Sequence, residues 1–130
     1  MMPFMAWEDR FSVGHAEVDK QHRNLFELVN NVHDMIKMGV TPELDRILDE
    51  LDNYTREHFQ YEESVMRVSG YSDLMAHKQK HTDLLNQVQF FRKQLHNGER
   101  VSLVNVTKFL AQWLTTHILI EDMAWGKTQK

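Results

Sequence analysis

Residues 72–98 read SDLMAHKQKHTDLLNQVQFFRKQLHNG. Leu74, Leu84, Leu85, Val88, Phe91 and Leu95 recur at three- and four-residue spacing, and His77 and His81 fall in the same register. One face of a helix is therefore apolar apart from two imidazoles. Ser72-Asp73 supplies a start signal and Asn97-Gly98 a stop, which predicts a helix over about 72–96. The same period appears three more times. A first helix over about 19–38 opens with Asp19 as N-cap, carries Leu25, Phe26, Val29, Val32 and Ile36, and stops at Gly39. A second, over about 42–68, opens with Thr41-Pro42-Glu43 and carries Ile47, Leu48, Leu51, Tyr54, His58 and Val65 before Ser69-Gly70. A fourth, over about 102–125, starts at Ser102, carries Phe109, Leu110, Trp113, Leu114, His117 and Ile118, and ends near Trp125-Gly126. Links of a few residues make consecutive helices antiparallel neighbours. The pattern predicts an all-α, up-down-up-down four-helix bundle, residues 1–130 forming one domain with an irregular arm over 1–18.

Composition narrows the function. At 130 residues with 42% apolar side chains, the chain can bury a core. A net charge of -4, a pI near 6.0 and a mean hydropathy of -0.54 leave no basic footprint for nucleic acid or an anionic membrane. There is no cysteine, so thiolate zinc sites, iron–sulfur clusters, disulfides and cysteine nucleophiles are excluded together. The apolar opening Met1–Ala6 is too short for a signal peptide, and no run reaches the ~18–20 residues of a membrane helix. A soluble, cytoplasmic monomer with no membrane insertion is expected.

Histidine is the one excess, at 8 residues. His58 and Glu62 are four apart on the second helix, as are His77 and His81 on the third, so each pair projects from one face. Counting depth from the turns puts His22, His58, His81 and His117 in one layer. Glu62, His77 and an acid from the fourth helix, either Glu121 or Asp122, fall in the next. The layers lie about 6 Å apart, which suits a pair of metal ions. A lone histidine on an apolar face is usually a satisfied core residue. Five that converge with two carboxylates would cost several kcal/mol in desolvation without a cation among them. His33 has no partner at its depth, His15 lies in the arm and His96 at a helix end, so these three receive the structural reading. Five neutral nitrogens and two carboxylates suit iron ahead of zinc or manganese. Such a set carries less negative charge than four acids with two histidines, which favours binding dioxygen over cleaving it.

The motifs taken together resemble the hemerythrin family, in its bacterial single-domain form. The likeness runs from Trp7 and Phe11-Ser12-Val13-Gly14 through Asp19-Lys20-Gln21-His22, His58-Phe59-Gln60-Tyr61-Glu62-Glu63 and His77-Lys78-Gln79-Lys80-His81 to Trp113, His117 and Asp122. His15 stands where the family usually has an aliphatic residue. The resemblance implies an oxo- or hydroxo-bridged pair of iron ions. His77, His81 and His117 would hold one iron, His22 and His58 the other, and Glu62 and Asp122 would bridge. Dioxygen would bind at the open position of the two-histidine iron, beside a wall expected to include Phe26, Tyr54, Trp113 and Leu114. Straight helical geometry favours Glu121 as the fourth helix's acid; the resemblance favours Asp122, which a π-type widening after His117 would swing inward. The implied activity is non-enzymatic oxygen storage, transport or delivery to an oxygen-consuming partner. The alternative is a di-iron oxidase, or an enzyme handling peroxide or nitric oxide, on the same site. A sensor is the weakest reading, since no signalling domain is attached.

Overall fold

The computed structural model describes residues 4–39, 44–98 and 103–129. Four long helical segments run antiparallel: α1, Ala16–Met38; α2, Leu44–Val68; α3, Leu74–His96; and α4, Leu103–Thr116. The last continues through a π-helical turn, His117–Asp122, into a short α5, Met123–Thr128. There is no strand among the described residues. Helix α1 packs closely on α2 and α4, and α2 on α3, while α3 and α4 approach one another less closely. This is the four-helix bundle that the periodicity predicts. No helix is long and apolar enough to cross a membrane.

The buried residues of α1, from Val18 through His22, Leu25, Phe26, Val29 and Val32, follow one helical stripe. The helix stops at Gly39, whose φ of 75° is a left-handed conformation that costs glycine little. Its start differs from the expectation. The helix begins at Ala16, and its cap is His15, whose Nδ1 accepts a hydrogen bond from the Val18 N–H at 3.2 Å. Asp19 is buried one turn in, where its carboxylate accepts from the Val13 N–H at 2.9 Å and from the Ser12 hydroxyl. It ties the arm to the bundle instead of capping the helix. The proposed caps Thr41 and Ser102, and Pro42, lie outside the described residues. Asp73 stands at the start of α3 without a side-chain capping bond.

The arm crosses α1 and carries a single 3₁₀ turn, Asp9–Phe11, which packs against the π turn. Met5 is pinned by Asn30, whose side chain accepts from the Met5 N–H at 2.7 Å and donates to its carbonyl at 2.9 Å. The apolar interior falls into two clusters. The larger contains Phe26, Val29, Leu48, Leu51, Leu84, Leu110 and Leu114 among others; the smaller is Val13, Val18, Met66 and Trp125. Between these two cores lies a belt of buried polar side chains.

Candidate metal centre

That belt consists of His22 from α1, His58 and Glu62 from α2, His77 and His81 from α3, and His117 and Asp122 at the two ends of the π turn. None is more than 3% exposed. The i, i+4 pairs His58–Glu62 and His77–His81 reach inward from one face of their helices, as the spacing requires. The π turn governs which acid of the fourth helix turns inward. In an α-helix Asp122 would stand about 140° from His117. With i→i+5 closure, at about 82° per residue, it comes within about 50° of His117, and Glu121 moves to the other flank. Accordingly Asp122 is fully buried in the belt, whereas Glu121 is half-buried beside it.

The two carboxylates divide their oxygens between two groups of imidazoles. Glu62 Oε1 lies 2.8 Å from His77 Nε2 and 3.2 Å from His81 Nε2; its Oε2 lies 3.2 Å from His22 Nε2 and 3.3 Å from His58 Nε2. Asp122 Oδ1 lies 2.9 Å from His77 Nε2 and 3.2 Å from His117 Nε2, and its Oδ2 is 3.1 Å from His22 Nε2. Five potential donors, Glu62, His77, His81, His117 and Asp122, thus gather at one point, and His22, His58 and Glu62 at a second.

These distances bear on whether a metal fits. With metal–nitrogen and metal–oxygen bonds of about 2.1 Å, adjacent octahedral ligands stand about 3.0 Å apart. The observed separations run from 2.8 to 3.3 Å. His81 Nε2 and His117 Nε2 are only 3.1 Å apart. Neither oxygen of Asp122 makes an aligned hydrogen bond, although three imidazole nitrogens crowd around them. Lone pairs converging on shared points, with buried acceptors left unsatisfied, are what a cation would resolve.

Electrostatics say the same. Burial pushes the Glu62 carboxyl up, yet the imidazoles around it, His58 foremost, hold it well below the usual carboxylate range. Asp122 is likewise held low: burial and the neighbouring Glu62 raise it, and His117 and His22 outweigh them. Burial lowers His22, but Asp122 and Glu62 more than reverse this and carry it to about 10. The same balance carries His77 to about 9 and raises His81. His58, where burial dominates over Glu62, is lowered. With no cation, the buried carboxylates recruit protons on the imidazoles as counter-charge.

Partners on the far side of the rings orient two of them. His58 Nδ1 stands 2.7 Å from Gln21 Oε1 and His81 Nδ1 2.7 Å from Glu63 Oε2. As donors there, these rings keep the Nε2 lone pair turned inward. Phe59 stacks on His81 at 3.6 Å and 2°, and Trp113 on His117 at 4.4 Å and 17°. Sequence reasoning gave no role to Gln21, Phe59 or Glu63. Each is the chain neighbour of a belt residue, and the helical turn of about 100° aims it at the next helix, a signal that could have found them.

An apolar cavity of about 20 Å³, room for one small molecule, adjoins the histidine layer. Its lining repeats on every helix. Leu25 and Val29 lie three and seven residues after His22, Leu84 and Val88 three and seven after His81. Thr55 and Leu51 precede His58, and Leu114 and Leu110 precede His117, by the same steps. Of the four expected wall residues, Trp113 and Leu114 line this cavity. The other two do not. Phe26 packs on Trp7 and Phe11 under the arm, and Tyr54 accepts a hydrogen bond from Asn24 at 2.9 Å. The remaining histidines stand apart from the belt: His15 caps α1, His33 stacks on Phe4, and His96 pairs with Asp45 at 2.8 Å on the surface.

Known proteins resemble this chain along nearly its whole length. Residues 13–127 match the hemerythrin HHE cation binding domain. The bacteriohemerythrin of Methylococcus capsulatus is 36% identical over 97% of this chain and 95% of its own length. That of Stenotrophomonas maltophilia is 30% identical over 99% and 84%. A myohemerythrin from Theromyzon tessulatum is 28% identical over 92% and 88%. Among solved structures, a wild-type hemerythrin superposes with a TM-score of 0.89 at 34% identity, covering 95% of this chain and 96% of the other. A hemerythrin variant with a leucine replaced by alanine gives 0.91 at 33%, covering 97% of both. A helical bundle whose buried belt of five histidines and two acids suits a metal centre, matched along nearly its whole length, belongs to the hemerythrin family, known for binding oxygen at such centres.

Proposed function

We propose that this chain binds dioxygen reversibly at a centre of two iron ions, as a carrier for storage or delivery and not as an enzyme. The observation that carries the reading is the division of each carboxylate's two oxygens between two groups of imidazoles. His77, His81 and His117 would hold one iron and His22 and His58 the other, with Glu62 and Asp122 bridging. When bound, such a pair supplies two electrons that a dioxygen molecule can accept and return.

The chain's own residues would do the rest. Two imidazoles against three would leave the His22–His58 position short of a protein ligand and open to a small exogenous molecule. Leu25, Leu51, Leu84 and Leu114 wall the adjoining cavity with hydrocarbon, which admits a small neutral gas and excludes bulk water. Glu63 and Gln21 hold the His81 and His58 rings in place, so little reorganisation accompanies electron loss and gain. No tyrosine or additional acid stands within the belt itself among the described residues, which favours a carrier over an oxidase.

The test is optical. The iron-loaded protein is reduced, exposed to air, purged with argon and cycled. Recovery of the colourless reduced form over many cycles, with little peroxide released, is the expected result. Full oxidation with stoichiometric hydrogen peroxide on each exposure would overturn it in favour of the oxidase.

A further inference from the structure

The outward nitrogens of the belt histidines are not treated alike. His81 Nδ1 faces a carboxylate, Glu63, and His58 Nδ1 a neutral amide, Gln21. His22 Nδ1 is buried with no partner. His117 Nδ1 is also buried and unpartnered, but 3.9 Å from it lies Glu121 Oε2, itself buried and unpartnered. The other oxygen of Glu121 stands 3.9 Å from Lys80 Nζ, which turns Oε2 toward the ring. His117 and Glu121 also line a surface pocket of about 350 Å³ between α3 and α4, with Lys80, Trp113 and Thr116, although these two atoms are themselves closed off from solvent.

Resting on the two-metal reading above, we propose that Glu121 is a positioning residue that acts through His117 Nδ1. With Glu63 it makes the three-histidine position the more electron-rich of the two. A carboxylate behind an imidazole strengthens the ring as a donor and adds negative charge near the metal in a weakly screening interior. Two of the three histidines on that side have such a carboxylate, and neither histidine on the other side does. The oxidised state is therefore favoured at the His77–His81–His117 position, and Lys80 tempers the effect. The π turn makes this possible, because it carries Asp122 inward and leaves Glu121 on the opposite flank of His117.

The test compares the iron-loaded full chain with Glu121→Gln, Glu63→Gln and Lys80→Gln by spectroelectrochemistry, with zinc affinity measured separately by chelator competition. Glu121→Gln is expected to keep two irons and to shift the oxidised-to-reduced ratio at a fixed potential about tenfold toward reduced, or 59 mV for one electron. Its zinc affinity should fall roughly tenfold. Glu63→Gln should shift the potential in the same direction and Lys80→Gln in the opposite one, a pattern that a loss of packing would not give. An unchanged potential and zinc affinity in Glu121→Gln would overturn the proposal. So would outright loss of an iron, which would make Glu121 a ligand. A wild-type chain that holds two irons but does not bind dioxygen reversibly would overturn the carrier reading and leave this comparison standing. A chain that holds no metal would overturn both.

Discussion

At the scale of single residues, the belt makes the metal part of the fold. A ligand removed from it takes both affinity and folding free energy with it, because a cation bound only by the native state stabilises that state. His77→Ala and His81→Ala are therefore expected to lose iron and to melt well below the parent, while His33→Ala, stacked on Phe4 away from the belt, keeps both. Iron content and Tm measured on the same samples decide this. Full iron in either of the first two would remove that residue from the set. The pH behaviour follows from the charges. In the metal-free chain His22 and His77 are raised to about 10 and about 9, so their contribution is complete below about 6.5 and is lost as pH rises through those values. Glu62 and Asp122 are lowered, so theirs is present above about 4 and is lost as pH falls. Loading metal near neutral pH must then displace protons from His22, His77 and, in part, His81, and apparent affinity should fall as pH drops. Proton release in weakly buffered solution reads the count; release of none would show that the imidazoles are already neutral. The residues that meet in the belt were legible as spacings, since i, i+4 pairs and depth from the turns need no structure. Their outward partners were not, because Gln21 and Glu63 look like ordinary polar neighbours until the next helix is in place.

At the scale of elements, the informative departures are at helix ends. Periodicity reads α1, α2 and α3 to within a few residues, because each buries one continuous stripe. It misplaces the start of α1 because two residues exchange roles: a histidine can cap with a neutral ring nitrogen, and Asp19 is better used on the arm's backbone. Nothing local distinguishes those uses. Spacing alone chooses Glu121 over Asp122, since it assumes a uniform helix and the π turn breaks that assumption where the site lies. Family likeness supplies the other choice, and the widened turn supplies its geometry. The same stretch explains why Gly126 is glycine. A Cβ there would lie 2.5 Å from the Val13 carbonyl oxygen, so α5 and the arm touch backbone to backbone. Gly126→Ala must push the arm away, along with the Asp19 anchor at Val13. A loss of about 1–3 kcal/mol is expected, read as a lower urea midpoint with unchanged slope. A midpoint equal to the parent's would show that the arm yields freely.

At the scale of the molecule, a polar belt is held between two apolar clusters, and one of these contains a cavity one turn from the histidines on all four sides. The bundle is closed most tightly along α1–α2, α2–α3 and α1–α4, and its α3–α4 side is the looser one. There Trp113 belongs both to the cavity wall and to the surface pocket beside Lys80 and Glu121, so one side chain separates hydrocarbon from solvent. Replacing it should join the two spaces, while filling the cavity should close the place for gas without opening a path for water. Two variants therefore have different expected outcomes. Trp113→Ala should bind dioxygen readily but lose its oxygenated spectrum to autoxidation at least tenfold faster, because water and protons reach the centre. Leu84→Phe, which projects into the cavity at the His81 end, should bind dioxygen more slowly or more weakly without that acceleration, at an overpacking cost of about 1–3 kcal/mol. Stopped-flow binding and the decay of the oxygenated absorbance separate the two effects. Equal autoxidation rates in parent and Trp113→Ala would mean that the ring is not the barrier, and that water reaches the centre from another side of the bundle.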